Sequence, residues 1–201
     1  MFGTAETRAW IDTFIGAVRD RGDELTELDR RAGDGDYGTN LRSAVERAAA
    51  NLAADAPGTP GAVFGAVANA FLHTGGTSGP LFGMWFREFA KTVGAEVSSD
   101  VLATAADRAQ AAVRRLGNAE VGHKTMVDAM VPAATALTAA AARGDDVRVA
   151  LAAAATAAHE GAASTEDLLA KRGRASYVGE HARGVVDPGA LTVAWFFDAA
   201  A

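Results

Sequence analysis

Apolar side chains recur at helical spacing through much of this chain, and this periodicity constrains its fold more than any other feature. Trp10, Ile11, Phe14, Ile15 and Val18 place an apolar stripe on one face of a helix. Alanine-rich segments dominate the second half of the sequence, and alanine is the strongest helix former. The sequence lacks runs of β-branched residues with period two, which are typical of half-buried strands. We therefore predict an all-α fold.

Start and stop signals divide the chain into eight predicted helices. Asp187-Pro188 supplies an N-cap followed by proline at the first helical position, and Arg143-Gly144 is typical of a helix end. The predicted helices cover residues 5–21, 39–53, 60–73, 79–91, 99–116, 125–142, 146–169 and 188–200, with a break at Gly161 left open. Because most connections are short, consecutive helices should run antiparallel, in a bundle or a helical barrel.

Length and charge limit the kinds of protein to consider. The 201 residues are predicted to form a single domain, 1–201, that buries a substantial core. A net charge of −6 without a basic block argues against nucleic acid and anionic membranes as partners. The alanine-rich stretch 133–158 contains charged residues such as Arg143 and Asp145, so it is not a membrane span. The absence of cysteine excludes thiolate metal sites, and the absence of a signal-peptide pattern fits a cytoplasmic protein.

Three aspartates crowd a glycine-rich segment, 29–38, that we expect to connect two helices. Asp29, Asp34 and Asp36 repel one another unless a cation lies among them. Hard divalent ions prefer such oxygen ligands, and Mg²⁺ commonly combines protein carboxylates with ligand phosphates. The segment therefore predicts a Mg²⁺–phosphate site, although a solvated acidic turn stays open.

Two familiar motifs resemble this segment, and neither fits. The run from Gly33 to Gly38 satisfies G-x-G-x-x-G, but no buried strand precedes it, as the dinucleotide-binding motif requires. An EF-hand loop counted from Asp34 would need glutamate at its twelfth position, where the chain has Val45.

Further candidate binding elements lie in other connections. The loop 73–80 combines glycines with hydroxyls before a predicted helix, a pattern that fits an anion site and a simple capped turn equally well. Gly117–Thr125 resembles a P-loop with one residue too many and no preceding strand, so we reject that motif. The apolar residues that follow, including Met126, favour core over a nucleotide pocket. The connection 171–187 is basic at its start, and Arg174 could bind phosphate unless this is only a solvated loop.

Four motifs occur in one order along the chain, and together they resemble a known family. They are Leu28-Asp29…Gly33-Asp34-Gly-Asp36-x-Gly38, Gly75-Gly-x-Ser-Gly-Pro-Leu-x-Gly83, Lys124-Thr-Met-x-Asp128 and Gly173-Arg-Ala-Ser-Tyr-x-Gly-Glu180…Asp187-Pro-Gly-Ala190. In this order the chain resembles the nucleotide-binding L subunit of dihydroxyacetone kinases, from about residue 8 to residue 198. The resemblance implies an eight-helix antiparallel barrel with a nucleotide site in the loops at one end.

The resemblance also implies roles for individual residues. Asp29, Asp34 and Asp36 would hold two Mg²⁺ ions that bridge the phosphates of ADP or ATP, with Ser78 and Arg174 stabilising those phosphates. The nucleotide contacts that it implies are Tyr37, Gly38, Thr39, Asn40, Thr77, Ser78, Gly117, Met126, Arg174, Asp187, Pro188 and Gly189.

The implied activity is phosphoryl transfer by a subunit that is active only with a partner. Dihydroxyacetone would be held covalently on a separate K subunit, and an M subunit of the phosphotransferase system would rephosphorylate the bound ADP. We expect this arrangement, in which ADP stays bound, because a separate L chain is typical of it. An ATP-dependent kinase subunit for a related ketose is one alternative, and a nucleotide-binding module that engages a transcription regulator is another. A helical Mg²⁺-dependent phosphohydrolase is a third, although that class spreads its acidic pairs over several helices.

Two positions depart from the family pattern. Tyr37 stands where histidine is common, and His123 stands where aspartate is common. Both departures leave the three aspartates intact, so they bear on specificity and on the phosphoryl donor more than on the fold.

Overall fold

The computed structural model describes residues 2–76 and 78–201. Within those ranges eight α-helices follow one another: α1 (Thr4–Ala32), α2 (Tyr37–Asp55), α3 (Pro60–Leu72), α4 (Ser78–Thr92), α5 (Ser99–Gly117), α6 (Val127–Arg143), α7 (Val147–Ser164) and α8 (Pro188–Asp198). Two 3₁₀ helices, Arg174–Tyr177 and Gly179–Ala182, lie between α7 and α8. The only extended pairing in the described part of the chain is an isolated bridge between Phe2 and Val97. The all-α prediction is confirmed.

The helices form a closed ring in chain order. Each packs mainly against the next one, and α8 returns to contact α1. Because most consecutive helices are joined by short connections, this order gives the predicted eight-helix antiparallel barrel. In the described residues no helix combines the length and apolar character needed to cross a membrane.

Aromatic side chains fill the interior of the ring. The Phe196 ring lies 4.5 Å from the Trp10 ring and 4.7 Å from the Trp85 ring, between centroids. The indole N–H of Trp10 donates a hydrogen bond of 2.6 Å to the carbonyl oxygen of Phe196. The core thus joins α1, α4 and α8, and it fixes the first and last helices against each other.

Helix α1 is longer than the sequence analysis predicted, and this corrects the position of one residue of the predicted metal site. The predicted helix ended at Arg21, but α1 continues to Ala32 and the connection to α2 shrinks to residues 33–36. Leu25 and Ala32 are buried on the continued helix, so the apolar stripe persists beyond Gly22. Asp29 therefore projects from the last turn of a helix and not from a loop.

Helix α7 differs from its prediction in two ways. It runs without a break through Gly161, because that glycine lies against α6, where a Cβ atom would be 2.2 Å from the carbonyl oxygen of Asp128. It ends at Ser164 and not at residue 169. The Thr165 hydroxyl donates to the carbonyl oxygen of Ala162 and accepts from the N–H of Asp187, which turns the chain out of the helix.

Candidate functional site

The three aspartates converge at one end of the barrel. One carboxylate oxygen from each of Asp29, Asp34 and Asp36 lies within 4.8 Å of the other two. Asp29 is 9% exposed, whereas Asp34 and Asp36 are exposed. Gly33 permits this arrangement, because a Cβ atom there would lie 2.4 Å from Oδ1 of Asp29. The carboxylates thus form one oxygen-rich cluster, open to solvent on one side.

The electrostatics of this cluster favour a bound cation. Burial raises the pKa of Asp29 above its usual value, and the charges of Asp34 and Asp36 add to that shift. The backbone N–H of Tyr37 opposes it by donating a 3.0 Å hydrogen bond to Oδ2 of Asp29. A set of converging carboxylate oxygens whose charges repel one another fits a hard divalent ion such as Mg²⁺.

Arg174 reaches this cluster from a segment that is distant in sequence, between α7 and α8. It opens the first 3₁₀ helix between α7 and α8, and its guanidinium forms an ion pair with the carboxylate of Asp34. Both side chains remain partly exposed. The structure therefore places a cationic fork directly beside the carboxylates, as a phosphate-binding role would require.

The amino-terminal turn of α2 lies against the cluster. Tyr37 is buried, and its hydroxyl pairs with Oγ1 of Thr192 on α8 at 2.9 Å. Burial raises the pKa of Tyr37 above its usual range, so the phenol stays neutral. Tyr37 thus joins the acidic connection to α8 through its side chain and holds Asp29 through its backbone N–H.

A cavity of about 190 Å³ opens beside the carboxylates and extends between the helices. Apolar side chains such as Leu81, Phe82 and Val113 form its inner wall. The predicted site residues that line it are Asp29, Asp34, Asp36, Tyr37, Asn40, Ser78, Gly117, Met126, Arg174, Asp187, Pro188 and Gly189. Elements far apart in sequence therefore meet around one space.

Two predicted nucleotide contacts in the described part of the chain stand apart from this lining. Gly38 and Thr39 are not among the residues around the cavity. Gly38 is buried against α1, where a Cβ atom would lie 2.4 Å from the carbonyl oxygen of Gly22, so its place is explained by helix packing. Thr77 lies outside the residues that the structure describes.

Met126 combines the two environments that the sequence analysis weighed against each other. It is 6% exposed and belongs to the core, and it also lines the cavity.

The connection before Met126 is held by Asp128, whose carboxylate accepts from the N–H of Gly122 at 2.5 Å and from the N–H of Thr125 at 2.8 Å. Helix α6 begins at Val127, two residues later than predicted.

The sequence analysis missed the role of Lys124. It lies in a polar connection, which is typical of exposed lysine, yet it is 1% exposed and lines the cavity. Its ammonium group donates to three backbone carbonyl oxygens. The only local signal was its place in the motif Lys124-Thr-Met-x-Asp128, because the carbonyl partners lie 41 to 61 residues away.

Asp187 caps α8 at the edge of the cavity. Its Oδ2 accepts from the backbone N–H of Ala190 at 2.8 Å. Burial raises the pKa of its carboxyl group to about 7, and the charge of Asp128 adds to this. The N–H of Ala190 and the ammonium of Lys124 act in the opposite direction.

This shift predicts a pH dependence of stability. A carboxyl group that is harder to ionise in the folded state than at its unfolded pKa of about 3.9 favours folding at low pH. That contribution is fully present below the unfolded pKa and is lost as the pH rises through about 7. Asp187→Asn removes this titration. The difference in free energy of unfolding, variant minus natural chain, should therefore be larger at pH 8, above this window, than at pH 5, within it. Urea unfolding at both pH values measures this, and a constant difference would contradict it.

Comparisons with known proteins identify relatives of this chain. Residues 31–201 match the profile of the DAK2 domain. The chain is 38% identical to the L-erythrulose 1-kinase of Mycolicibacterium smegmatis, over 95% of this chain and 34% of that protein. It is 36% identical to the ADP-binding subunit DhaL of the PEP-dependent dihydroxyacetone kinase of Escherichia coli, over 84% of this chain and 82% of that subunit. The chain thus spans about a third of the kinase named first and most of the DhaL subunit.

A solved structure shows the same fold. The dihydroxyacetone kinase of C. freundii superposes with a TM-score of 0.74 at 28% identity, over 98% of this chain and 34% of that one. The same enzyme in complex with AMP-PNP and Mg²⁺ superposes with a TM-score of 0.72. From the profile, the relatives and the shared fold it follows that this chain belongs to the DAK2 domain family of kinases, as a relative of the DhaL subunits of dihydroxyacetone kinase.

Proposed function

We propose that this chain is the cytoplasmic nucleotide-binding subunit of a PEP-dependent dihydroxyacetone kinase. The observation that carries the proposal is the convergence of Asp29, Asp34 and Asp36 with Arg174 at the mouth of an apolar cavity. The DhaL subunits of Escherichia coli and Listeria innocua support it, because this chain covers 82% and 91% of their lengths.

The shape of the cavity supports a nucleotide held in two parts. Its volume of about 190 Å³ is below the range of about 300–1,000 Å³ that is typical of ligand pockets. Only part of a nucleotide would therefore be enclosed. We infer that the base lies against Leu81, Met126 and Pro188, and that the phosphates lie at the open rim near the carboxylates.

The carboxylates fit the metal that such phosphates require. Two Mg²⁺ ions held by Asp29, Asp34 and Asp36 would neutralise phosphate charge and orient the transferring group. Arg174 would bind phosphate oxygens through its planar guanidinium. Ser78 begins α4, so its hydroxyl and the first backbone N–H groups of that helix would add donors. Gly38, Thr39 and Thr77 stay predicted contacts.

The reaction would need partner subunits. Among the described residues that line the cavity, the amine that could hold a small ketone covalently is that of Lys124, and it is engaged by three backbone carbonyl oxygens. We therefore infer that a separate K subunit presents dihydroxyacetone at this end of the barrel. A PEP-dependent enzyme also needs a phosphoryl carrier, which would be an M-type phosphotransferase subunit that rephosphorylates ADP. In this scheme the chain holds the nucleotide and orients its phosphates at the open rim.

A second candidate is an ATP-consuming kinase subunit for a four-carbon ketose. The identity of 38% to an L-erythrulose 1-kinase favours it, although this chain covers only 34% of that protein. The two candidates share the site and differ in whether ADP stays bound between turnovers.

Calorimetric titration with ADP and with ATP, each with Mg²⁺ and again with EDTA, separates these candidates. We expect tight ADP binding that depends on Mg²⁺, since the carboxylates cannot approach phosphates without a cation. Tight ATP binding with weak, exchangeable ADP would favour the ATP-consuming kinase. Absence of binding for both nucleotides would overturn both proposals.

A further inference from the structure

The connection between α7 and α8 carries Arg174 to the carboxylate cluster. We name residues 165–187 the strap. It begins directly after α7 and ends at the residue that caps α8. Its four basic residues are Lys171, Arg172, Arg174 and Arg183. Because a long connection has many conformations, Arg174 can stay beside Asp34 only if the strap is fastened.

A single ammonium group fastens both ends of the strap. Nζ of Lys124 donates to the carbonyl oxygens of Thr165 at 2.5 Å, of Glu166 at 3.2 Å and of Val185 at 2.6 Å. The first two belong to the start of the strap and the third to its end. A lysine ammonium has three donors, so all of its hydrogen-bonding capacity is used by this segment.

The surroundings of Lys124 show that this contact is built into the fold. The side chain is 1% exposed, and the backbone of Lys124 has a φ of +59°, a left-handed conformation that residues other than glycine rarely adopt. Strain of this kind persists only where neighbouring structure enforces it, and it is common at functional sites. Hydrogen bonds from a charged donor are roughly twice as strong as neutral ones.

Further contacts fix the strap on either side of Arg174. The N–H of Lys171 donates to the carbonyl oxygen of His123 at 3.1 Å, and Nε of Arg172 donates to that of Asn118 at 2.6 Å. On the other side, Arg31 donates to the carbonyl oxygen of Gly184 at 3.3 Å. The arc between these points carries Arg174 across to Asp34.

We propose that Lys124 is a positioning residue, whose ammonium group clamps the two ends of the strap and so holds Arg174 at the phosphate side of the carboxylate cluster. The clamp is a property of the fold alone. Its effect on nucleotide affinity rests on the proposed function, through the binding of phosphate by Arg174.

Proteolysis tests the clamp without any nucleotide. Lys124→Met keeps an unbranched side chain and removes the ammonium, and Lys91→Met is a matched control at an exposed lysine near the end of α4. We expect trypsin to cleave the strap at its basic residues at least about tenfold faster in Lys124→Met. These side chains are largely exposed already, but cleavage also requires the backbone around them to open locally, and loss of the clamp allows that opening. Helicity should stay unchanged, and Lys91→Met should behave like the natural chain. Equal cleavage of the strap in all three chains would overturn the proposal.

A double-mutant cycle tests whether Lys124 acts through Arg174. We expect Lys124→Met and Arg174→Gln each to weaken Mg²⁺-nucleotide binding by about tenfold, and the double variant to be no weaker than the weaker single variant. Lys124→Arg, which keeps the charge, should restore most of the affinity and the protection from trypsin. Losses that multiply in the double variant would overturn the link to Arg174, since a merely structural lysine would give them.

Two further outcomes stay decisive. Should Lys124→Met fail to fold, Lys124→Gln takes its place, because it removes the charge and one donor but keeps two hydrogen-bond donors. Should the natural chain bind no nucleotide, the proposed function fails, while the cleavage rates still decide whether Lys124 clamps the strap.

Discussion

Asp34→Asn is expected to abolish Mg²⁺-dependent binding of ADP and ATP while leaving the helical content unchanged. Asp34 contributes one of the three converging carboxylates, and its side chain is 36% exposed, so its charge is not needed by the core. Substitutions of residues that merely support metal ligands weaken affinity by about 10–100-fold, so loss of a direct ligand should exceed about 100-fold. Calorimetric titration with Mg²⁺ measures this loss.

A matched substitution controls for the change of net charge. Asp55 is exposed at the far end of α2, away from the carboxylate cluster, so Asp55→Asn should bind nucleotide like the natural chain. Circular dichroism should show the same helicity in both variants. Unaltered nucleotide affinity in Asp34→Asn would remove Asp34 from the metal site.

Phe196→Ala is expected to cause a large loss of stability. The Phe196 side chain is fully buried, and its ring lies within 4.5–6.0 Å, between centroids, of aromatic rings on α1, α4 and α8. Truncation of a buried phenylalanine to alanine costs about 3–5 kcal/mol, through lost burial and the cavity that is left. For a chain of this size the melting temperature should fall by roughly 12 °C.

Phe2→Ala is the control for this prediction. Phe2 lies near the amino terminus, and its ring pairs with one described aromatic residue, Trp10, at 6.3 Å. Its truncation should therefore destabilise the protein much less than Phe196→Ala does. Similar unfolding free energies for the two variants, measured in urea, would show that the aromatic centre of the barrel does not dominate the core.

The sequence was enough to predict the helical class, because that depends on local periodicity. The stripe from Trp10 to Val18 and the cap at Asp187 both appear in the structure as predicted. The end of α1 was predicted too early, because Gly22 and the charged residues around it resemble a helix end. The apolar contacts of Leu25 and Ala32 outweigh that local preference.

The candidate site shows the same division between local and distant contacts. Asp34 and Asp36 share one short connection, so their proximity follows from the sequence. The burial of Lys124 could not be predicted in this way, because its partners Thr165 and Val185 are brought to it only by tertiary folding. The apolar residues around Met126 predicted a core position, whereas the family resemblance predicted a nucleotide contact. Met126 is buried and also lines the cavity.

The order in which the helices pack has a consequence for biosynthesis. The aromatic centre joins Trp10 on α1 to Phe196 on α8, which are separated by 186 positions along the chain. Early helices emerging from the ribosome therefore lack the partner that covers their apolar faces until α8 has been made. Partly synthesised chains that expose such surface are prone to aggregate. Nascent chains that end before α8 should therefore depend on chaperones more than the finished barrel does.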